Sequence, residues 1–374
     1  MVVLHNQKPD ESIEVYKQFF AQSPANGSKV LDLFCGCGGL SLGFKRAGYE
    51  VVGGVDSNPP SIETFNANIG NGEVIDLSSK EWVNIANEKF DLSSLDVLVG
   101  GPPCQGYSLT GTRKFEDEKN QLYNSMFQAI DAFSPKVVVI ENVRGMATLY
   151  GGKAKEQVLA HFKERGYNAK CFIFDSADYG VPQHRKRLFF IATNSERDIN
   201  LPWPTNTKGN YISCRDAISD LPSMRDTPRD NTSKYKSNPQ SAFQELMREG
   251  SVLAQNHQPT IHKQFVIDTI RQVPEGGNHK DLPPGVGESR KFNEAWTRYH
   301  GDKPSRTIDT GHRNHFHYKY DRVPTVRENA RLQSFPDQFV FKGTKTQQYR
   351  QVGNAVPVFL AQVLAKHLYT TLLS

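Results

Sequence analysis

Four short runs rich in β-branched residues, each ending on glycine, proline or an acidic side chain, constrain this chain more than any other feature. Val30–Phe34 ends at Cys35-Gly36-Cys37-Gly38-Gly39 and Val51–Val55 at Asp56. Val97–Gly101 ends at Pro102-Pro103-Cys104-Gln105, and Val137–Ile140 at Glu141-Asn142. Continuous apolar runs are the pattern of strands buried on both faces. Between them, Leu40–Ala47, Pro60–Asn68 and Gln121–Phe133 have helical spacing. Strands alternating with helices predict an α/β fold around a parallel sheet. Ligands bind such sheets at the carboxyl ends of the strands, where all four unusual clusters fall. Tyr167–Phe174 and Arg187–Ala192 read as two further strands, and Asp10 as the cap of a helix ending near Phe20.

The pattern changes after Thr193. Residues 194–320 are rich in Pro, Gly, Ser and Asn and hold seven of the eleven histidines. Regularity returns at Thr325 and Glu328, whose spacing is that of a capping box opening a helix through Leu332. A final helix is expected from Pro357 to about Leu373. The division that follows is one domain of residues 1–193 plus 322–374, and a smaller, irregular one of 194–321.

A net charge of +5 on 374 residues permits contact with nucleic acid without requiring it. No apolar run approaches the roughly 20 residues of a membrane-spanning helix, and Met1–Asp10 lacks the apolar core of a signal peptide. Five cysteines without a paired framework read as reduced thiols of a cytoplasmic protein.

Glycines let a backbone approach a cofactor closely, and an acid ending the second strand can accept both hydroxyls of a ribose. Gly36, Gly38, Gly39 and Gly43 do not complete G-x-G-x-x-G, so a cofactor without pyrophosphate fits as well; a tight turn alone would also explain them. Cys35 and Cys37, one residue apart, have poor zinc spacing and read as buried small residues. His312, His315 and His317 lack a flanking cysteine or acid and read as groove-facing or surface residues, so no metal is expected. Cys104 stands out among the thiols: two prolines fix its approach, and Glu141, Gln183, Arg185 and Arg187 are polar companions for a heteroaromatic ring.

Together these segments resemble the cytosine-5 DNA methyltransferase family. Asp32-Leu33-Phe34-Cys35-Gly36-Cys37-Gly38-Gly39 resembles its cofactor motif, Gly101–Ser108 its nucleophile loop, and Glu141-Asn142-Val143 its Glu-Asn-Val motif. Gln183-His184-Arg185-Lys186-Arg187 matches Gln-x-Arg-x-Arg. Thr325–Gln333 and Gln351–Pro357 are similar to its last two motifs. The resemblance implies a Rossmann-like S-adenosylmethionine-dependent sheet, with 194–321 as the target-recognition domain. It implies a covalent adduct between Cys104 and carbon 6 of a flipped-out cytosine in double-stranded DNA. Glu141 then meets N3, Arg187 meets O2, and Arg185 positions the loop or a phosphate. S-adenosylmethionine is expected at Phe34, Gly36, Gly38 and Gly39, with Asp56 on the ribose, Asp76 near the adenine, and Leu122 and Asn354 as further contacts. Asn354 would require the last motif to fold back beside the first.

A stacked base must be extruded before such chemistry, and the composition of Gly106–Lys119 predicts a loop that closes over DNA. Gln105, Ser108, Arg113, Arg298, Arg306 and Arg313 are the expected DNA contacts, with Asn314 a further reader; for any single arginine an ordinary surface role competes. The setting implied is a bacterial restriction–modification system in the cytoplasm, on nucleoid DNA. A cognate endonuclease would act on the same site without direct binding. Rival readings are a tRNA cytosine-5 methyltransferase, a non-catalytic DNA-binding relative, and a nicotinamide-dependent dehydrogenase, which would leave Pro103-Cys104-Gln105 without a role.

Overall fold

A computed structural model describes residues 9–103, 121–202, 204–205, 211–223, 232–235, 237–286, 296–311 and 313–374. Packing divides it into two compact units. One holds Gln22–Asp175, Lys186–Pro204 and Val358–Ser374; the other holds Met1–Ala21, Ser176–Arg185 and Thr205–Pro357.

Seven strands of the first unit form one sheet: β1 (Lys29–Leu33), β2 (Glu50–Asp56), β3 (Gly72–Val74), β4 (Val97–Gly100), β5 (Val137–Val143), β6 (Asn168–Asp175) and β7 (Lys186–Thr193). Their order is β3-β2-β1-β4-β5-β7-β6. The first five in that order run parallel, and β7 is antiparallel to both neighbours. All of β4 and the first four residues of β5 are buried, which is why those runs are apolar without alternation. The order reverses between β1 and β4, so the chain leaves these two neighbours in opposite directions and opens a crevice beyond their ends. The segments Phe34–Gly39 and Gly101–Pro103 begin there.

Helices Gly39–Arg46, Pro59–Asn68 and Gln121–Phe133 lie within a residue of their expected bounds. Helices Trp82–Lys89 and Lys153–Glu164 and strand β3 were not evident in the sequence. The final helix, Val358–Leu368, is shorter than expected because Tyr369–Leu373 widens into a π turn. It packs on helix Gly39–Arg46: a Cβ on Gly43 would collide with Ala361, and Tyr49 Oη donates to Ala365 O at 3.0 Å. Lys345–Leu373 is long and apolar enough to cross a membrane by composition, but 67% of its most apolar window is buried.

The second unit is built from short elements held by buried polar groups. Thr325 and Glu328 form the expected capping box on helix Val326–Leu332. Arg331 of that helix reaches Asp220 Oδ1 at 2.5 Å and Asp337 Oδ2 at 2.6 Å, all three side chains fully buried. Arg322 forks onto both oxygens of Glu328 at 2.7 Å. The N-terminal helix Pro9–Phe20 belongs here too, with Lys17 2.6 Å from Glu245 of helix Ala242–Arg248. Residues 322–357 therefore pack with 205–321, whereas the division by sequence joins 322–374 to the catalytic part.

Candidate active site

At the end of β1 the backbone turns through left-handed conformations at Phe34 (φ 60°), Gly36 (φ 54°) and Gly38 (φ 96°). Glycine suits this region, whereas Phe34 occupies it at a steric cost. An added Cβ at Gly36 would meet nothing within 4 Å, so that side of the loop is open. Gly38 differs, because a Cβ there would strike Ile69 and Phe65. Asp56, ending β2, fixes the loop by accepting from Gly36 N at 2.9 Å and Asn58 N at 2.8 Å. Burial raises its carboxyl pKa, against the lowering effect of those N–H groups. Asp76 lies two residues beyond β3, where Ile75 N donates to Asp56 O at 3.2 Å. It is exposed, and hydrogen bonds from the Ser78 hydroxyl and N–H lower its pKa. Leu122 is half-buried at the start of helix Gln121–Phe133.

Beneath the loop, Asp32 is fully buried in β1 and accepts from Ser41 Oγ at 2.5 Å. Burial pushes its pKa up to about 7, with Asp56 adding to the rise and the Ser41 bonds opposing it. Cys35 and Cys37 are both buried, as expected; burial raises Cys35 well above the usual thiol range and Cys37 to about 12. Neither supplies a thiolate near neutral pH.

Beyond β4, Gly101 N donates to Leu33 O at 3.3 Å, tying the second loop to the first. Asn142 Nδ2 donates to Pro102 O at 3.1 Å and so holds the backbone two residues before Cys104. Glu141 of β5 and Arg187 of β7 form an ion pair of 3.0 Å between Oε1 and Nε, with side chains 14% and 16% exposed. Register explains the meeting: β5 and β7 are neighbours, with Val143 opposite Arg187. An added Cβ on Gly101 would sit 3.2 Å from Glu141 Oε2, so glycine leaves room for this carboxylate. Cys104, Gln105, Ser108 and Arg113 lie outside the described residues, as does His312.

Arg185 and Asn354 belong to the second unit. Arg185 is buried and donates to Gly353 O at 2.8 Å, so within that unit the Gln-x-Arg-x-Arg segment and the last motif are joined. Asn354, exposed, ends helix Lys345–Asn354. Gln183 is fully buried, donating to Leu332 O at 3.1 Å and accepting from Ile308 N at 2.9 Å. Arg313 lies 4.8 Å over the Tyr349 ring and donates to Thr346 Oγ1 at 2.8 Å. Arg306 is exposed.

Arg298 departs from its expected place in a groove. Its guanidinium is buried and donates to Val273 O, Ile270 O, His317 O, Tyr320 O and Asp321. Those five bonds match the five N–H groups of an arginine, leaving none for a base. His317 is also internal, not a surface loop residue; burial lowers its pKa to about 3, against the pull of Glu328.

A profile of C-5 cytosine-specific DNA methylases matches residues 28–370. The chain belongs to that family. Among its relatives, the type II methyltransferase M1.HphI of Haemophilus parahaemolyticus is 36% identical over 345 residues, covering 90% of this chain and 85% of the relative. M.DdeI of Desulfomicrobium norvegicum is 35% identical over 367 residues, covering 91% and 88%. In three dimensions the methylase matches an Escherichia coli prophage protein assigned as a DNA modification methyltransferase, with a TM-score of 0.77 and 26% identity over 93% of this chain and all of that one. The Dnmt2 methyltransferase of Schizosaccharomyces pombe shares the fold, at a TM-score of 0.63 and 18% identity over 93% and all of the two chains. The α/β fold with its central sheet is therefore that of a DNA cytosine-5 methyltransferase.

Three residues, Asp32 and Asn142 of the first unit and Gln183 of the second, carry geometry that their motifs do not announce. The motifs give Asn142 no role of its own, make Gln183 a polar companion, and leave Asp32 as the first letter of the cofactor motif. A carboxylate inside an apolar strand was the available signal for Asp32. Asn142 donates to Pro102 O, and Gln183 meets Leu332, Gln333 and Ile308, all 40 or more residues away, which no sequence pattern marks.

Proposed function

We propose that the chain methylates carbon 5 of a flipped-out cytosine in a specific double-stranded DNA sequence, with S-adenosylmethionine as donor and Cys104 as transient nucleophile. The observation that carries this reading is the Glu141–Arg187 pair, fixed across β5 and β7 beside the segment that leads to Cys104. The loop fits S-adenosylmethionine: its open side at Gly36 admits an adenosyl group, and Asp56 offers a carboxylate to ribose hydroxyls. Phe34, Gly36, Gly38, Gly39, Asp56, Asp76, Leu122 and Asn354 are its proposed contacts. When bound, it supplies an electrophilic methyl group on a positively charged sulfur.

The protein's own task is to make carbon 5 nucleophilic. Cys104 Sγ, as thiolate, adds to carbon 6; the carbon 5–carbon 6 π bond opens and its electron pair is shared with the ring. Glu141, the carboxylate partner of Arg187 in the free protein, takes up a proton as the base enters and shares it with N3 as negative charge develops there. Arg187 donates to O2 and, as a fixed cation beside Glu141, needs little reorganisation to do so. Arg185, buried and bonded to Gly353 O, is proposed to position the loop or a phosphate. After carbon 5 gains the methyl, a base removes its proton, the double bond re-forms, and Cys104 leaves as thiolate. Residues 1–193 and 322–374 would serve catalysis and 194–321 target recognition, with Gln105, Ser108, Arg113, Arg306 and Arg313 on DNA. The type II relatives support a restriction–modification role in a bacterial cytoplasm, beside an endonuclease acting on the same sequence.

Labelled S-adenosylmethionine with duplex DNA or tRNA tests the reading. Label is expected in carbon 5 of cytosine in DNA at one recurring sequence. Transfer to tRNA alone, or to neither, would overturn it.

A further inference from the structure

A cleft of about 650 Å³ opens within the second unit, its walls including His184, Tyr211, Glu275, His300, Lys303 and Arg306. The backbone under its two lysine and arginine side chains is fixed. Cys214 N donates to Lys303 O at 2.9 Å, His184 N to Ser305 O at 2.8 Å, and Ser305 N to Pro182 O at 2.9 Å. The stretch 303–306 is thereby stitched to 182–184, immediately before Arg185. Lys303, Arg306 and His184 are all exposed, and neither Lys303 nor Arg306 has an ion pair among the described residues. The cleft's carboxylates are already engaged. Asp302 pairs with Arg215 at 2.9 Å, and Glu275 Oε1 accepts from Gly301 N at 2.6 Å while lying 3.9 Å from His300 Nδ1. Arg298, also in the wall, holds the fold together by its five internal bonds. Tyr211 sets its ring edge-on to His184 at 5.3 Å and donates to Asp178 at 2.8 Å, so it limits where the imidazole can turn.

Two cations three residues apart on a hydrogen-bonded backbone, without an ion-pair partner among the described residues, suit a diffuse anion better than a base edge. We propose that Lys303 and Arg306, with His184 beside them, form a seat for a phosphodiester of the DNA strand, so that Arg306 positions the substrate and does not read sequence. The proposal rests on duplex DNA being the substrate. An ammonium and a guanidinium together can hold one phosphate or two successive ones, through charge-assisted hydrogen bonds that carry no sequence information.

The test uses the full-length protein with two labelled duplexes, one holding its target sequence and one with that sequence scrambled, over a series of salt concentrations. Lys303→Ala and Arg306→Ala should each weaken both duplexes by a similar factor. Each should also reduce the slope of log affinity against log salt by about 0.9 for a lost phosphate contact. Lys303→Arg and Arg306→Lys should keep the slope, which separates charge from misfolding. A variant that binds the scrambled duplex normally and loses only discrimination would make its residue a base reader and overturn the proposal. So would unchanged affinity and slope in both alanine variants. If the unaltered protein bound neither duplex, the failure would lie with DNA as substrate and not with this seat.

Discussion

Single side chains divide here between those that react and those that hold a reactive group in place. Glu141 and Arg187, paired at 3.0 Å across β5 and β7, are proposed for the first kind. Asp32 belongs to the second. Its carboxylate, buried under the cofactor loop, holds the first turn of helix Gly39–Arg46 through Ser41. Burial, its largest influence, favours the neutral acid, so the folded protein keeps this proton up to about pH 7, whereas an unfolded aspartate loses it near 3.8. Where the folded state binds the extra proton, raising the pH opposes folding. The effect is absent below about pH 4, grows towards about pH 7, and amounts to at most roughly 4 kcal/mol. Asp32→Asn should remove it. Urea unfolding near pH 5 and pH 8 should therefore show the unaltered protein losing stability relative to this variant as pH rises. A difference between the two that stays constant with pH would show that Asp32 does not titrate in this range.

Among the elements, those of the sheet were legible because each makes its own case. β4 and β5 are apolar throughout, helix Gln121–Phe133 follows its spacing to the residue, and Thr325 announces its helix by a capping box. The elements of the second unit are two to ten residues long between breaks, apart from the N-terminal helix. What fixes them is polar contact between distant residues, and neither side of such a contact looks unusual alone. Arg298 is the instructive case. A lone arginine in a region expected to meet DNA invites a role in base reading, yet its guanidinium gathers the end of helix Gln264–Gln272 and the turn at 317–321. Arg298→Met should leave buried carbonyls and Asp321 without donors, costing about 3–5 kcal/mol. The methylated sequence should not change. Sequencing the methylated sites alongside denaturant unfolding separates the roles, because a stable variant with altered sites would return Arg298 to the groove.

For the molecule as a whole, a net charge of +5 permits contact with a polyanion without requiring it. Recognition must then come from local arrangements such as Lys303 with Arg306, which composition cannot reveal. Placement at the strand ends was the more legible half, since the sheet topology brings Phe34–Gly39, Asp56, Gly101–Pro103 and Glu141 to one edge whatever the helices do. In the proposed reaction the Cys104 sulfur bonds to a pyrimidine while its neighbouring carbon is methylated. A duplex with 5-fluorocytosine at the target position measures this most directly, because fluorine cannot leave as a proton and the adduct persists. With S-adenosylmethionine present, the unaltered protein and Cys171→Ala should both carry DNA through a denaturing gel, and Cys104→Ala should carry none. An undiminished covalent complex in Cys104→Ala would contradict the account.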